Sequence, residues 1–196
     1  RKDVDTALGI SQSLESKGES VAMSQHCAVI DLLLNADRLK EAFNLAQSLL
    51  QNGQYPSPRI LRFLLTKLAS KGDYELIKMI EPKLPGTIEQ TTWYTSILAN
   101  AYINAGKASE FLDNILPNLK PFPLGGLLAL LNAKSDLEEK ILKIVNDIAE
   151  QQDNHLPQNM VWLYYMQNER YDDAKRLYDS NPKFKEFLLF TALLDK

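Results

Sequence analysis

The chain has 196 residues, 45% hydrophobic and 24% charged, an ordinary globular composition with enough apolar content for a sizeable core. Its 22 basic and 25 acidic residues leave a net charge of −3, which argues against a strongly basic, autonomous nucleic-acid binder. The single cysteine excludes an intrachain disulfide and fits a reducing compartment, and no apolar run reaches the ~18 residues of a membrane-spanning helix.

In chain order, residues 1–18 read as the second helix of a hairpin whose first helix is missing. The stretch Gln25–Pro56 then supplies a whole hairpin. Val29, Ile30, Leu33 and Leu34 form the stripe of a helix over Gln25–Leu34. Asn35-Ala36-Asp37 makes the turn, since Asn and Asp tolerate left-handed backbone. Leu39, Ala42, Phe43, Leu45, Ala46, Leu49 and Leu50 predict a second helix over Leu39–Gln51. Asn52-Gly53 ends it, and Pro56 blocks continuation.

The pattern recurs. Ala7–Gly18 aligns with Ala42–Gly53 without a gap, at an offset of 35 residues. A second hairpin is predicted over Arg59–Lys71 and Tyr74–Lys83, with Gly72-Asp73 as its turn and Pro85-Gly86 as its end. A third runs over Trp93–Ala105 and Ala108–Leu116 about Gly106, with Ile97, Leu98, Ala101 and Tyr102 buried. The stretch Pro117–Gly126 (PNLKPFPLGG) interrupts the pattern with three prolines. A fourth hairpin follows over Leu124–Leu131 and Leu137–Gln151, with a turn at Asn132–Asp136 and Ser135 capping toward Glu138 or Glu139. A fifth spans Pro157–Gln167 and Tyr171–Tyr178, ending at Asn181-Pro182. Glu186–Lys196 reads as the start of one more helix, so the chain is expected to be cut from a longer array. Turn markers at Asp37, Gly72, Gly106, Ser135 and Glu169 are spaced 35, 34, 29 and 34 residues apart. A helix-turn-helix period near 35 predicts an all-α chain stacked as an α-solenoid.

At repeat level NADRLKEAFNLAQSLLQNGQYP (35–56) and WYTSILANAYINAGKASEF (93–111) resemble the pentatricopeptide repeat, in the leucine-heavy style of its mitochondrial leucine-rich members. The tetratricopeptide unit is one residue shorter, and its Trp/Leu-Gly/Tyr opening is not visible here. The resemblance implies a right-handed superhelix, with pentatricopeptide-like repeats over residues 1–120 and degenerate hairpins over 121–196. It implies a non-catalytic role in the stability, polyadenylation or translation of mitochondrial messenger RNA, beside a small partner protein carrying an RNA-recognition motif.

By the same resemblance, bases are read by the fifth residue of the first helix and the closing residue of the repeat, with the second residue packing on the base. The fifth positions fall at Cys27, Arg62, Ser96, Gly125 and Asn159. The second positions fall at Ser24, Arg59, Trp93, Phe122 and Leu156, and the closing positions at Ser57, Thr91, Lys120 and Asn154. No complete pair matches the family's informative combinations, so no base sequence is read; Ser96 and Asn159 fit singly.

The residues themselves single out the first helix of the second hairpin. Arg59, Arg62, Lys67 and Lys71 lie along it with no acid between them, and Arg59 and Arg62 share a face. Arginine there suits phosphate through paired hydrogen bonds, and Trp93 suits base stacking. The competing reading makes the arginines a solvated or salt-bridged face and Trp93 and Trp162 inter-repeat core.

Enzyme chemistry finds no foothold in the pattern. His26 and His155 have no ligand-spaced partners. Cys27 follows His26 directly, and adjacent helix residues point about 100° apart. Gly125-Gly126 lacks phosphate-loop spacing. Glu138, Glu139, Glu150, Asp153, Asp172, Asp173, Asp179 and Asp195 read as a solvated acidic face. The chain therefore reads as a non-enzyme with no cofactor or metal. A helical scaffold for a protein partner is the alternative to RNA binding.

Overall fold

The computed structural model describes residues 2–16, 21–89, 91–119, 122–133 and 135–180, all of them helical or in connections between helices. The expected helix over Glu186–Lys196, the Asn181-Pro182 stop and the closing position Lys120 lie outside the described residues. The helices are α1 (Lys2–Ser16), α2 (Met23–Asn35), α3 (Leu39–Gln51), α4 (Pro58–Lys71), α5 (Tyr74–Ile80), α6 (Gly86–Glu89), α7 (Thr92–Asn104), α8 (Ala108–Glu110), α9 (Leu124–Ala133), α10 (Glu138–Gln152), α11 (Leu156–Gln167) and α12 (Tyr171–Ser180). Among the described residues, no helix is long and apolar enough to cross a membrane.

The apolar stripes read from sequence are the packed faces. Val29, Ile30, Leu33 and Leu34 of α2 are buried, as are Ala42, Phe43, Ala46, Leu49 and Leu50 of α3. Ile60, Leu61, Leu64, Leu65, Leu68 and Ala69 of α4 and Ile97, Leu98, Ala101 and Tyr102 of α7 join them. Trp162 is also core. These stripes exist because apolar residues recur at helical spacing, so burying one face of each helix buries them together.

Four of the five turn markers share one backbone device: φ is 57° at Asp37, 77° at Gly72, 74° at Gly106 and 58° at Glu169. Each left-handed residue is followed by an N–H that reaches back five residues, from Arg38 to Leu33, Asp73 to Leu68, Lys107 to Tyr102 and Arg170 to Tyr165, at 2.8–3.0 Å. This closes the helix end and satisfies a terminal carbonyl. At Gly72 the conformation coincides with a close approach, because a Cβ there would lie 2.8 Å from the backbone nitrogen of Ala105. The fifth marker differs: Ser135 opens a short 3₁₀ turn, Ser135–Leu137, and the N-cap position of α10 is Leu137 with no side-chain cap.

Two second helices end differently from expectation. Regular helix gives way to a 3₁₀ turn at Glu81–Lys83 around Pro82. After α8 the chain widens into a π-turn at Phe111–Ile115 and then a 3₁₀ turn at Leu116–Asn118 around Pro117. A proline has no N–H for the helical ladder and its ring crowds the preceding turn, so the helix changes pitch instead of continuing.

The helices pack in a repeating order. α2 packs on α4, α4 on α7, α7 on α9 and α9 on α11, so the first helices of the hairpins lie side by side. Each second helix lies against its own first helix, as α3 on α2, α5 on α4, α10 on α9 and α12 on α11. α3, α5 and α10 also touch the next first helix, α4, α7 and α11. The principal helical neighbours of α9 are α7, α11 and α10. Its contact with α7 depends on Gly126, where a Cβ would come 2.3 Å from the Cβ of Ala99.

One side-chain device recurs with the hairpins. A cation just after the turn bridges to an acid three residues on and to a group one repeat earlier. Arg38 binds Glu41 and Asp5, which is 33 residues earlier; Lys107 binds Glu110 and the Tyr74 hydroxyl, again 33 earlier. Arg170 binds Asp173 and Glu138, which is 32 earlier. Hydrogen bonding to Arg170 holds the carboxyls of Glu138 and Asp173 below their ordinary range. Burial, followed by the hydrogen bond to Glu138, pushes the Tyr165 phenol up. Glu138 and Asp173 are thus committed to packing α10, α11 and α12, which corrects their reading as part of a solvated face. Glu139, Glu150, Asp153, Asp172 and Asp179 remain at the surface.

Candidate nucleic-acid interface

α4 carries the candidate cations because its sequence alternates buried leucines with polar residues that face outward. Pro58 starts it, with Ser57 in the N-cap position. The Ser57 N–H donates to the Cys27 sulfur of α2 at 3.4 Å, which seats the start of α4 on its neighbour. The Arg59 side chain is 76% exposed and lies 3.5 Å from Asp31 of α2. Lys67 and Lys71 stand 3.9 and 3.8 Å from Asp37. Lys67 also lies 5.8 Å from the Phe63 ring centroid. One turn on from Arg59, the exposed Arg62 points the other way along the row, with its guanidinium carbon 5.4 Å from the centroid of Trp93 on α7.

Arg59 and Arg62 therefore span the row, one toward α2 and one toward α7. Their contacts are long and open to solvent, of the kind that contributes little to stability and yields readily to a competing anion. The half-buried Trp93 beneath Arg62 offers an aromatic surface. The four cations of α4 face two acids, Asp31 and Asp37, so this helix keeps a positive excess within an acidic chain.

Other expected positions are placed differently. Ser96 is half-buried beneath α9, where a Cβ on Gly125 would come 3.2 Å from its hydroxyl. Asn159 is 4% exposed, in the first turn of α11 among buried His155 and Gln158. That turn is tied to α10 by a 2.8 Å hydrogen bond from Gln158 to Asn146, so Asn159 presents no open edge to a base. Thr91 is occupied as the N-cap of α7: its hydroxyl accepts from the Tyr94 N–H at 3.2 Å and donates to the Ile88 carbonyl at 2.7 Å. The Asn154 side chain accepts from the Leu156 N–H at 3.2 Å.

The fold also assembles a site that the sequence pattern leaves scattered. A cleft of about 560 Å³ opens between α2 and α4, lined among others by Ser24, Cys27, Asp31, Tyr55, Ser57 and Arg59. Ser24, Cys27, Ser57 and Arg59 are positions that the resemblance marks as base-contacting, and here they converge. Asp31 and Tyr55 are additions from the structure. Tyr55 is 53% exposed, and its only sequence signal is its place between a Gly53 turn and Pro56. Among the described residues no group of three or more His, Cys, Asp and Glu side chains is arranged to hold a metal ion.

Compared with known proteins, the chain matches no family model, and no curated protein sequence matches it.

Proposed function

We propose that this chain is a run of pentatricopeptide-like hairpins, stacked as a right-handed α-solenoid, that binds single-stranded RNA along the row of first helices. The observation that carries the reading is the Arg59–Arg62–Trp93 stripe: two exposed arginines on one helix, one of them, Arg62, set over an aromatic ring on the next. Extended RNA needs backbone cations and stacking surfaces at intervals, and this stripe supplies both. The recurring turns and the cation bridges 32–33 residues apart support the solenoid. With Ser96 beneath α9 and Asn159 buried, RNA is held through backbone and stacking at α4 and α7 rather than through the fifth-position residues. The resemblance extends the proposal to mitochondrial messenger RNA, its stability, polyadenylation and translation, and a small partner with an RNA-recognition motif. The role is non-catalytic.

A second reading, a scaffold for a protein partner, is favoured by a different surface. A cleft of about 240 Å³ between α1 and α2 is lined almost wholly by apolar side chains, with Ile10 56% and Leu32 39% exposed. Exposed apolar grooves of this kind suit protein contacts.

A salt series of binding to labelled single-stranded RNA separates the two readings. RNA binding predicts affinity that falls log-linearly with salt. It also predicts a shallower slope in an Arg59→Glu/Arg62→Glu variant, by about 0.7 for each phosphate that the variant no longer neutralises. Absence of binding at low salt overturns the RNA reading and leaves the scaffold.

A further inference from the structure

We propose that the cleft between α2 and α4 accepts one guanine base, read by Asp31 and stacked on Tyr55; this rests on the RNA reading above. Neither residue occupies a position that the repeat resemblance marks as base-contacting. Both line the same cleft of about 560 Å³, with Ser24 and Ser57 beside them.

The carboxylate selects the base. An acid in a groove that carries a polyanion opposes binding of every nucleotide except one whose pairing edge sets two adjacent donors against both of its oxygens. An ionised carboxylate presents two oxygens that only accept. Guanine is the RNA base with two adjacent N–H donors, N1–H and the N2 amino group, on its pairing edge, so it meets both oxygens at once. Adenine and cytosine each set a ring acceptor beside their amino donor, and uracil flanks its lone N–H with carbonyls. Those three bases bring a lone pair against the carboxylate, whereas guanine brings none. The guanine O6 then faces outward to a hydroxyl donor, which Ser24 and Ser57 supply in the same cleft.

The occupants of the cleft yield easily. The Asp31 side chain is 30% exposed and faces Arg59 at 3.5 Å, a long contact with a cation that is itself largely in solvent. Releasing Arg59 to a phosphate frees the carboxylate for the base. Tyr55 provides an exposed ring on the same cleft, and a purine stacks on such a ring more extensively than a pyrimidine.

The test uses a short oligouridylate carrying one central guanosine, and the same strand with adenosine or inosine at that position, with binding read by fluorescence anisotropy. Inosine keeps N1–H and lacks the N2 amino group. Guanosine is expected to bind about tenfold tighter than adenosine, the discrimination of one two-bond base contact, with inosine between them. Asp31→Asn removes that ratio while salt-sensitive binding of plain oligouridylate persists. Tyr55→Ala weakens all the strands and preserves the ratio. Equal affinities for the strands with salt-sensitive binding intact overturn the guanine site and leave the RNA reading standing, as does a ratio unchanged by Asp31→Asn. No binding of any strand overturns both.

Discussion

Arg59 and Arg170 are the same residue type in two different situations. Arg170 donates to Glu138 through two nitrogens at 2.7 and 2.8 Å, to Asp173 at 2.7 Å, and stacks on Tyr165 at 4.6 Å. Arg59 has a 3.5 Å contact with Asp31 and is 76% exposed. The C-terminal seam of α10, α11 and α12 consumes Arg170 in packing, while Arg176 of α12 stays 79% exposed. The seam of α2, α4 and α7 leaves its arginines at the surface. The difference teaches that an arginine is held in packing where an acid 32 or 33 residues earlier closes on it. Glu138 waits for Arg170, and Asp5 for Arg38; among the described residues no acid of comparable geometry closes on Arg62, whose partner is an aromatic ring.

The largest expected effect breaks the molecule between these two regions. Gly126→Val places a branched side chain where even a Cβ would lie 2.3 Å from Ala99. The helices must separate, at a cost of about 3 kcal/mol in chemical denaturation. Arg170→Ala comes next: it leaves the Glu138 and Asp173 carboxylates without their shared cation and uncovers the face of the Tyr165 ring, and partial exposure moderates the effect to about 2 kcal/mol.

Acid should reproduce part of that effect. Arg170 holds the Glu138 and Asp173 carboxyls below their ordinary range, so below about pH 4.5 the unfolded chain binds more protons than the folded one. The stabilisation is complete above the ordinary carboxylate range and disappears as pH falls through the lowered native values. The exchange protection of α12 amides, taken relative to the intrinsic rate at each pH, should therefore fall on acidification before that of α4 does, and Arg170→Ala should abolish that difference. The smallest effect sharpens the contrast from the other side: Arg59→Ala should change stability by less than about 0.5 kcal/mol, since it removes one exposed ion pair.

Much of the fold was legible in the sequence because helical spacing and turn residues are local signals. Leu39–Gln51 is observed with the bounds expected, and the stripe Val29, Ile30, Leu33 and Leu34 is buried. Asp37, Gly72, Gly106 and Glu169 make left-handed turns. Ser135 falls in the connection between α9 and α10 where a turn is expected, but as the start of a 3₁₀ turn, and the N-cap position of α10 is Leu137 instead. The site was less legible. Arg59, Arg62 and Trp93 stand out by type and spacing, but exposure depends on neighbours distant in sequence. Asn159 was expected at a reading position and is buried, because α10 supplies polar partners to the first turn of α11. Asp31 and Tyr55 carry no motif and meet Arg59 only when α2 and α4 pack.

The most direct test of the division between packing and surface arginines compares two variants in two assays. Arg59→Ala/Arg62→Ala and Arg170→Ala are each measured for thermal midpoint and for affinity to single-stranded RNA at low salt. The double variant is expected to keep its midpoint and to bind RNA about tenfold or more weakly, with a reduced salt slope. Arg170→Ala is expected to lower the midpoint by about 4–8 °C and to bind RNA as the parent does at temperatures where it remains folded. Equal weakening of RNA binding in both variants, or a double variant that binds undiminished, would contradict the assignment of the exposed arginines to RNA.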